Sequence, residues 1–259
     1  MKEIDARIRL AFLAVSLIFL GACIAQQLSF DIQNSLPQSR LAYYNDPFDR
    51  LREDLWEKSG FVYSEDQLQN YESADMKIEK GHLIIETQVG TFSKGGLVAK
   101  YELKGDFDIQ IDCAMTFVRG ATDLDQVIGF AAIERGKRPQ WNRMMAITIL
   151  KAGQERSGIF ASYRHGRTIL GKSWHPTGDF KGSLRIVRIG DKVSTLYRRG
   201  NGRWIRTNTF PSSGNNAQVG LVLQNFTMKR KSIGAQAVVV GEFDNFRINA
   251  AQGIIEEEI

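Results

Sequence analysis

The residues of this chain most able to do chemistry are acids at alternate positions. In Asp106-x-Asp108-x-Gln110-x-Asp112 the side chains share one face of an extended strand, a spacing that could present a carboxylate pair for general acid and base work. The competing reading is a solvated strand face. Glu242 and Asp244 also share a face, although Phe243 and Phe246 break strict alternation and suggest a bulge. The three histidines, His82, His165 and His175, form no Cys/His cluster with zinc-ligand spacing. No G-x-S-x-G nucleophile elbow occurs.

A second pattern sets aromatic rings among cations. Arg135, Lys137, Arg138 and Arg143 surround Trp141, and Lys172 precedes Trp174 and His175, beyond the basic stretch Arg164-His165-Gly166-Arg167. Arg198, Arg199 and Arg203 surround Trp204, with Arg206 beyond. Indole rings stack on the apolar faces of sugars, and a guanidinium can hold a carboxylate or sulfate in a bidentate pair. Trp141, Trp174, His175, Arg138 and Arg164 are therefore the candidate ligand-binding residues. Trp204 is expected to pack against the core as the closing residue of its hairpin.

These groups need a scaffold, and from residue 74 onward the pattern is all-β. Short runs rich in Val, Ile, Phe and Tyr are separated every eight to twelve residues by Gly, Asn, Asp or Pro turns. Lys80-Gly81, Gly190-Asp191 and Gly200-Asn201-Gly202 read as tight hairpin turns, since Gly, Asn and Asp tolerate positive φ. From Phe107 to Phe117 every odd residue is apolar, so one strand face is buried and Cys113 sits on it as a small hydrophobe. Val127–Ile133 and Met144–Leu150 are nearly continuous in apolar residues and suit strands covered on both faces. A short helix is expected at Pro47–Lys58, and residues 250–259 are expected to fray. A dozen strands are too many for a small barrel or an immunoglobulin sandwich; two large packed sheets fit better.

The N-terminus has its own logic. Lys2, Arg7 and Arg9 lead into the apolar run Leu10 to Leu20, shorter than the roughly 20 residues that span a bilayer as a helix, and then Leu20-Gly21-Ala22-Cys23. The reading is an export signal over residues 1–22. Those last four residues resemble a bacterial lipobox, which implies cleavage and lipidation at Cys23; the alternatives are an uncleaved anchor or ordinary cleavage after Ala25. Ile24 resembles the outer-membrane sorting pattern of Gram-negative lipoproteins. Residues 23–45 then form a tether, 46–249 a single domain and 250–259 a tail. Either way Cys113 is the single cysteine remaining in the mature chain, so no internal disulfide is expected. The net charge of +5 falls to +4 without residues 1–22. That mild, diffuse balance suits anionic glycans or lipid head groups and argues against nucleic acid.

Two regions carry a family resemblance. Leu55-Trp56, Gln67 to Tyr71, Ile78 to Ile85, Gly95 to Lys100 and Gly105 to Asp108 resemble the N-terminal half of family-16 glycoside hydrolases and their concanavalin A-like relatives. Leu184 to Arg188, Gly202-Arg203-Trp204, Val219 to Leu221 and Phe243 to Ile248 resemble the closing strands of laminin-G-like and concanavalin A-like modules. The resemblance implies an all-β fold, a concanavalin A-like jelly-roll sandwich of two antiparallel sheets, with glycans on a concave sheet. It does not carry the hydrolase centre across. That centre is a Glu-x-Asp-x-x-Glu strand; here Val127 to Arg135 holds one acid, Glu134, at its end. The resemblance also implies a structural calcium at Asp244, with Asp46 and Asp49 available near the start of the domain, and no other cofactor.

The resulting expectation is an exported, lipid-anchored, non-catalytic module that binds a glycan or an envelope component. The alternatives are a glycan-cleaving hydrolase or lyase with an unusual carboxylate pair, for which Asp106, Asp108 and Asp112 are the candidates, or a structural envelope lipoprotein.

Overall fold

The computed structural model describes residues 30–58, 74–89, 93–120, 125–136, 142–153, 156–166, 168–226 and 237–256. The chain enters through a short helix, α1 (Gln38–Tyr44), and a three-residue strand, β1 (Trp56–Lys58). The β2–β3 hairpin (Asp75–Glu79, His82–Glu86) follows, then the long strand β4 (Ser93–Met115). Next come β5 (Asp125–Glu134), β6 (Arg143–Ala152), β7 (Arg156–His165) and β8 (Thr168–Pro176). The chain closes with β9 (Phe180–Ile189), β10 (Lys192–Arg199), β11 (Ile205–Pro211), β12 (Ala217–Phe226) and β13 (Val240–Glu256).

All registered pairs are antiparallel. The 23 residues of β4 would run about 75 Å if straight, far beyond one layer of a sandwich. The strand turns a corner at Gly105, whose φ of +68° suits glycine. A Cβ there would also collide with Gln252. Before the corner β4 pairs with β12; after it, β4 pairs with β9. Strand β13 follows its other edge around the same bend, with register shifts on the way.

Two layers result. Sheet I runs β4 (first half)–β12–β5–β6–β7–β8, and sheet II runs β2–β3–β13–β4 (second half)–β9–β10–β11. Strand β6 lies over β9 and β10, and β11 lies over β7 and β8, without strand pairing between them. Between the layers Phe107, Ile109, Ile111, Phe130, Ile147, Ile159, Leu184, Ile186, Phe243 and Phe246 form one buried core. Each such side chain contributes about 1.5–3 kcal/mol by leaving water. Cys113 is buried among them.

The all-β sandwich, the three hairpin turns and the doubly covered β5 and β6 match expectation. The N-terminal segment differs. No helix forms over Pro47–Lys58: Phe48 takes φ +55°, Asp46 Oδ1 accepts the Phe48 N–H at 2.7 Å, and the chain ends there as β1. The apolar spacing of Phe48, Leu55 and Trp56 serves irregular packing into the core instead. The helix lies earlier, inside the expected tether, and packs on β13. Residues 250–256, expected to fray, are strand, because Ala251 and Ile254 bury against the core while their backbone pairs with β4.

Candidate functional site

Strand β5, which the sequence resemblance sets against the hydrolase strand, sits in the middle of sheet I. Its inward residues Ile128, Phe130 and Ala132 belong to the core. Its outward residues are Val127, Gly129, Ala131 and Ile133, and the registers extend that face sideways. One row reads Val98, Gly220, Ala131, Ala146, Ser162 and Lys172; the next reads Gly96, Val222, Gly129, Thr148, Phe160 and Trp174. Val98, Ala131, Ile133, Met144, Ala146 and Val222 form a second, separate apolar cluster, all buried. No acid stands on the outward side of β5 between Val127 and Ile133.

Glu134, the acid at the end of that strand, points elsewhere. It is 1% exposed and faces Arg188 of β9, with Nη1 3.3 Å from Oε1. Ser212 Oγ, Ser213 N and Ser213 Oγ also donate to it. A carboxylate so enclosed is a structural clamp between the sheets.

At the β7–β8 margin the outer face of sheet I becomes accessible. The indole of Trp174 lies across Gly158, where a Cβ would come within 2.6 Å of Cε2. Phe160 sits beside it with ring centroids 6.2 Å apart, and the Arg156 guanidinium caps the indole at 4.5 Å. A part-exposed indole between a phenyl ring and a guanidinium offers a stacking surface and a hydrogen-bond donor to one ligand. Phe160 and Arg156 escaped the sequence reading. The signal was there in register: both share the alternation of β7, and β7 is the strand to which Trp174 must pair.

Arg164 is on the same outer face, opposite Met144, but four residues along β7 from Phe160, about 13 Å by strand rise. His175, adjacent to Trp174, points the other way. Its Nε2 meets the Thr207 carbonyl of β11 at 3.3 Å and its ring packs near Tyr197, so it closes the sandwich edge rather than facing a ligand. Trp141, Arg138 and Cys23 lie outside the described residues.

The acidic row lies on the other sheet. Asp108 and Asp112 occupy the outer face of sheet II, the opposite side of the sandwich from β5's outward face. Asp108 is buried and held by the Arg185 fork, with Nε at 2.7 Å from Oδ1, and by Asn249 Nδ2 at 3.0 Å. That carboxylate has no free edge for proton transfer. Asp106 accepts from the Gly190 N–H at 2.8 Å beside the β9–β10 turn. Asp112 accepts from Ser183 Oγ, which in turn accepts from Arg198 Nε at 3.0 Å.

Asp112 is also the register partner of Asp244 on β13. Together with His82, Ser183, Arg198 and Glu242 they line an open cleft of about 240 Å³. Burial pushes the Asp244 carboxyl above its usual range, and the Asp112 charge adds to the rise.

The layer order and the continuous β4 and β13 decide the fold. It is a concanavalin A-like jelly roll. Solved structures agree. An endo-acting O-glycanase structure connected with the human gut microbiota superposes with a TM-score of 0.59 at 12% identity, covering 83% of this chain and 99% of that one. A pseudo β-1,3-glucanase of Mycobacterium tuberculosis gives 0.53 at 11%, covering 83% and 98%. A legume lectin-like domain from Entamoeba histolytica gives 0.52 at 10%, covering 89% and 100%. No protein-family model matches the sequence, and no curated protein does.

A concanavalin A-like jelly roll raises the calcium expectation at Asp244, and the donors there do not fit it. Asp244 Oδ1 accepts the Asn245 N–H at 2.6 Å, Oδ2 accepts Asn245 Nδ2 at 2.9 Å, and His82 Nδ1 stands 3.5 Å from Oδ2. Asp46 is likewise filled by N–H donors, from Phe48 at 2.7 Å and the Trp56 indole at 2.8 Å. Calcium takes six to eight oxygens; these carboxylates spend theirs on nitrogen donors. Among the described residues no three His, Cys, Asp or Glu side chains converge on a point.

Proposed function

We propose that this chain is an exported, lipid-anchored module that recognises a glycan without cleaving it. One observation carries the reading: Gly129, Ala131 and Ile133 occupy the outward face of β5, where a hydrolase of this fold would need its carboxylates. Recognition falls to the β7–β8 margin, where Trp174 stacks on a sugar face and Arg156 supplies charge to an acidic substituent. The lipobox-like Leu20-Gly21-Ala22-Cys23 supports an envelope location, with Cys23 as the lipid-bearing residue and the envelope as the source of the glycan. The lectin-like and pseudo-glucanase neighbours support binding on such a scaffold without turnover.

The test is a glycan-array and turnover screen on the chain from residue 23 carrying Cys23→Ser, against Trp174→Ala. Binding without product release, weakened about tenfold or more in the variant, is the expected result, since losing a stacked ring forfeits on the order of 1.4 kcal/mol. Product release from any bound glycan overturns it.

A second reading, a glycan-cleaving enzyme, draws on the Asp112–Asp244 pair in the cleft of sheet II, one acid raised by burial and the other hydrogen-bonded to Ser183. Turnover abolished by Asp112→Asn and unaffected by Trp174→Ala would establish it.

A further inference from the structure

Phe30 docks on the outer face of sheet II. Its ring packs against Val187, Leu196 and Trp204, with the guanidinium of Arg185 5.1 Å and that of Arg206 5.9 Å from its centroid. The chain is then fastened along β13: Leu36 N donates to Ala251 O at 2.8 Å, and Gln38 Nε2 to Asn249 O at 2.9 Å. The domain therefore begins on one defined face.

That point is close to Cys23. Seven Cα steps separate Cys23 from Phe30, a reach of at most about 25 Å fully extended. Two sheets about 10 Å apart, with side chains on both outer faces, make a body of comparable thickness. A leash of that length, starting on sheet II, does not pass round the sandwich to its other side. With the lipid at Cys23, as proposed above, sheet II faces the bilayer and Trp174 on sheet I faces away from it.

The face so presented carries charge to match. Around Trp204 stand Arg198, 4.7 Å from its ring, with Arg203, Arg206 and, nearer the cleft, Lys181. Among the described residues none of these four forms an ion pair, whereas Arg185 beneath them is neutralised by Asp108. Asp31, next to Phe30, is exposed; the acids that line the cleft, Asp112, Glu242 and Asp244, lie with His82 toward β13 and β3. Arg203 and Arg206 are exposed on the side away from those acids.

We infer that the surface around Trp204 is a membrane-facing patch that binds anionic phospholipid head groups through Arg203 and Arg206, with Arg198 at its centre. It rests on the anchoring reading for its orientation, and the lipid contact itself can be measured without the anchor.

The chain from residue 23 with Cys23→Ser, so that no acyl group contributes, is sedimented with phosphatidylcholine vesicles and with vesicles containing phosphatidylglycerol. Expected are binding only to the anionic vesicles, loss of about fivefold for each of Arg203→Gln and Arg206→Gln, and suppression by salt. Lys172→Gln, on the outer face of sheet I, leaves vesicle binding unchanged, and unchanged melting temperatures certify the fold of each variant. Equal partitioning of the Arg203→Gln/Arg206→Gln double variant, or an equal loss in Lys172→Gln, overturns the inference. The mass of the N-terminal peptide from the exported protein reads lipidation separately: an unmodified Cys23 overturns the anchored orientation, while the vesicle result still decides the patch.

Discussion

Arg188 of β9 and Glu134 of β5 form an ion pair inside the sandwich, each 1% exposed, that fastens the end of sheet I to sheet II. Arg188 spends its remaining donors on the carbonyls of Gly105 and Asn215 and lies 4.6 Å over the Phe107 ring. Both charges are thereby satisfied, and removing one leaves the other buried without its counterpart. Glu134→Ala is expected to cost about 3–5 kcal/mol in urea unfolding, and replacing both residues by leucine to cost less than the single change.

Lys94 gives stability a pH dependence of defined sign. Burial holds its ammonium pKa down at about 7, against an ordinary 10.5. Between those values the unfolded chain binds one proton more than the folded one, so folding stability rises with pH through that window, by at most about 1.4 kcal/mol per unit. Below pH 7 the contribution is flat. Unfolding midpoints at pH 7 and pH 9 should differ in this direction, and Lys94→Met should remove the rise that this group supplies.

Trp174 owes its pose to a missing side chain. Gly158→Ala would drive a methyl group into the indole and to 2.7 Å from the His175 carbonyl. The ring must lift and the β7–β8 margin must shift. The expected outcome is glycan binding lost as in Trp174→Ala, accompanied by a changed tryptophan emission spectrum.

Cys113 is buried against the core, and burial pushes its thiol far up from its ordinary range. A thiol reagent should leave it untouched in the folded chain and label it on unfolding. The count in denaturant then reports on Cys23: one reactive thiol per chain if a lipid occupies its sulfur, two if it is free.

The sandwich was legible because its signals are local. The alternation from Phe107 to Phe117 places those residues in the core of sheet II, and the Lys80-Gly81, Gly190-Asp191 and Gly200-Asn201-Gly202 turns sit between paired strands. Features set by distant partners were not legible. Asp108 reads as a wet strand position, yet Arg185 and Asn249, 77 and 141 residues away, close over it. The corner at Gly105, within one continuous strand, has no signal in the local alternation. His175 and Trp174 read as one cluster, and the two-residue period of β8 turns them to opposite faces.

The corner at Gly105 bears on when the chain can fold. Strand β4, shared by both sheets, takes its neighbours from residues 56–58 on one side and from residues 180–256 on the other. Sheet I cannot close around it until β12 has been synthesised, nor sheet II until β13, and pairing across such sequence separations is slow. An emerging chain of this design stays open and threadable until its C-terminus is available. For the export proposed above, that delay is what a translocation channel requires of its cargo.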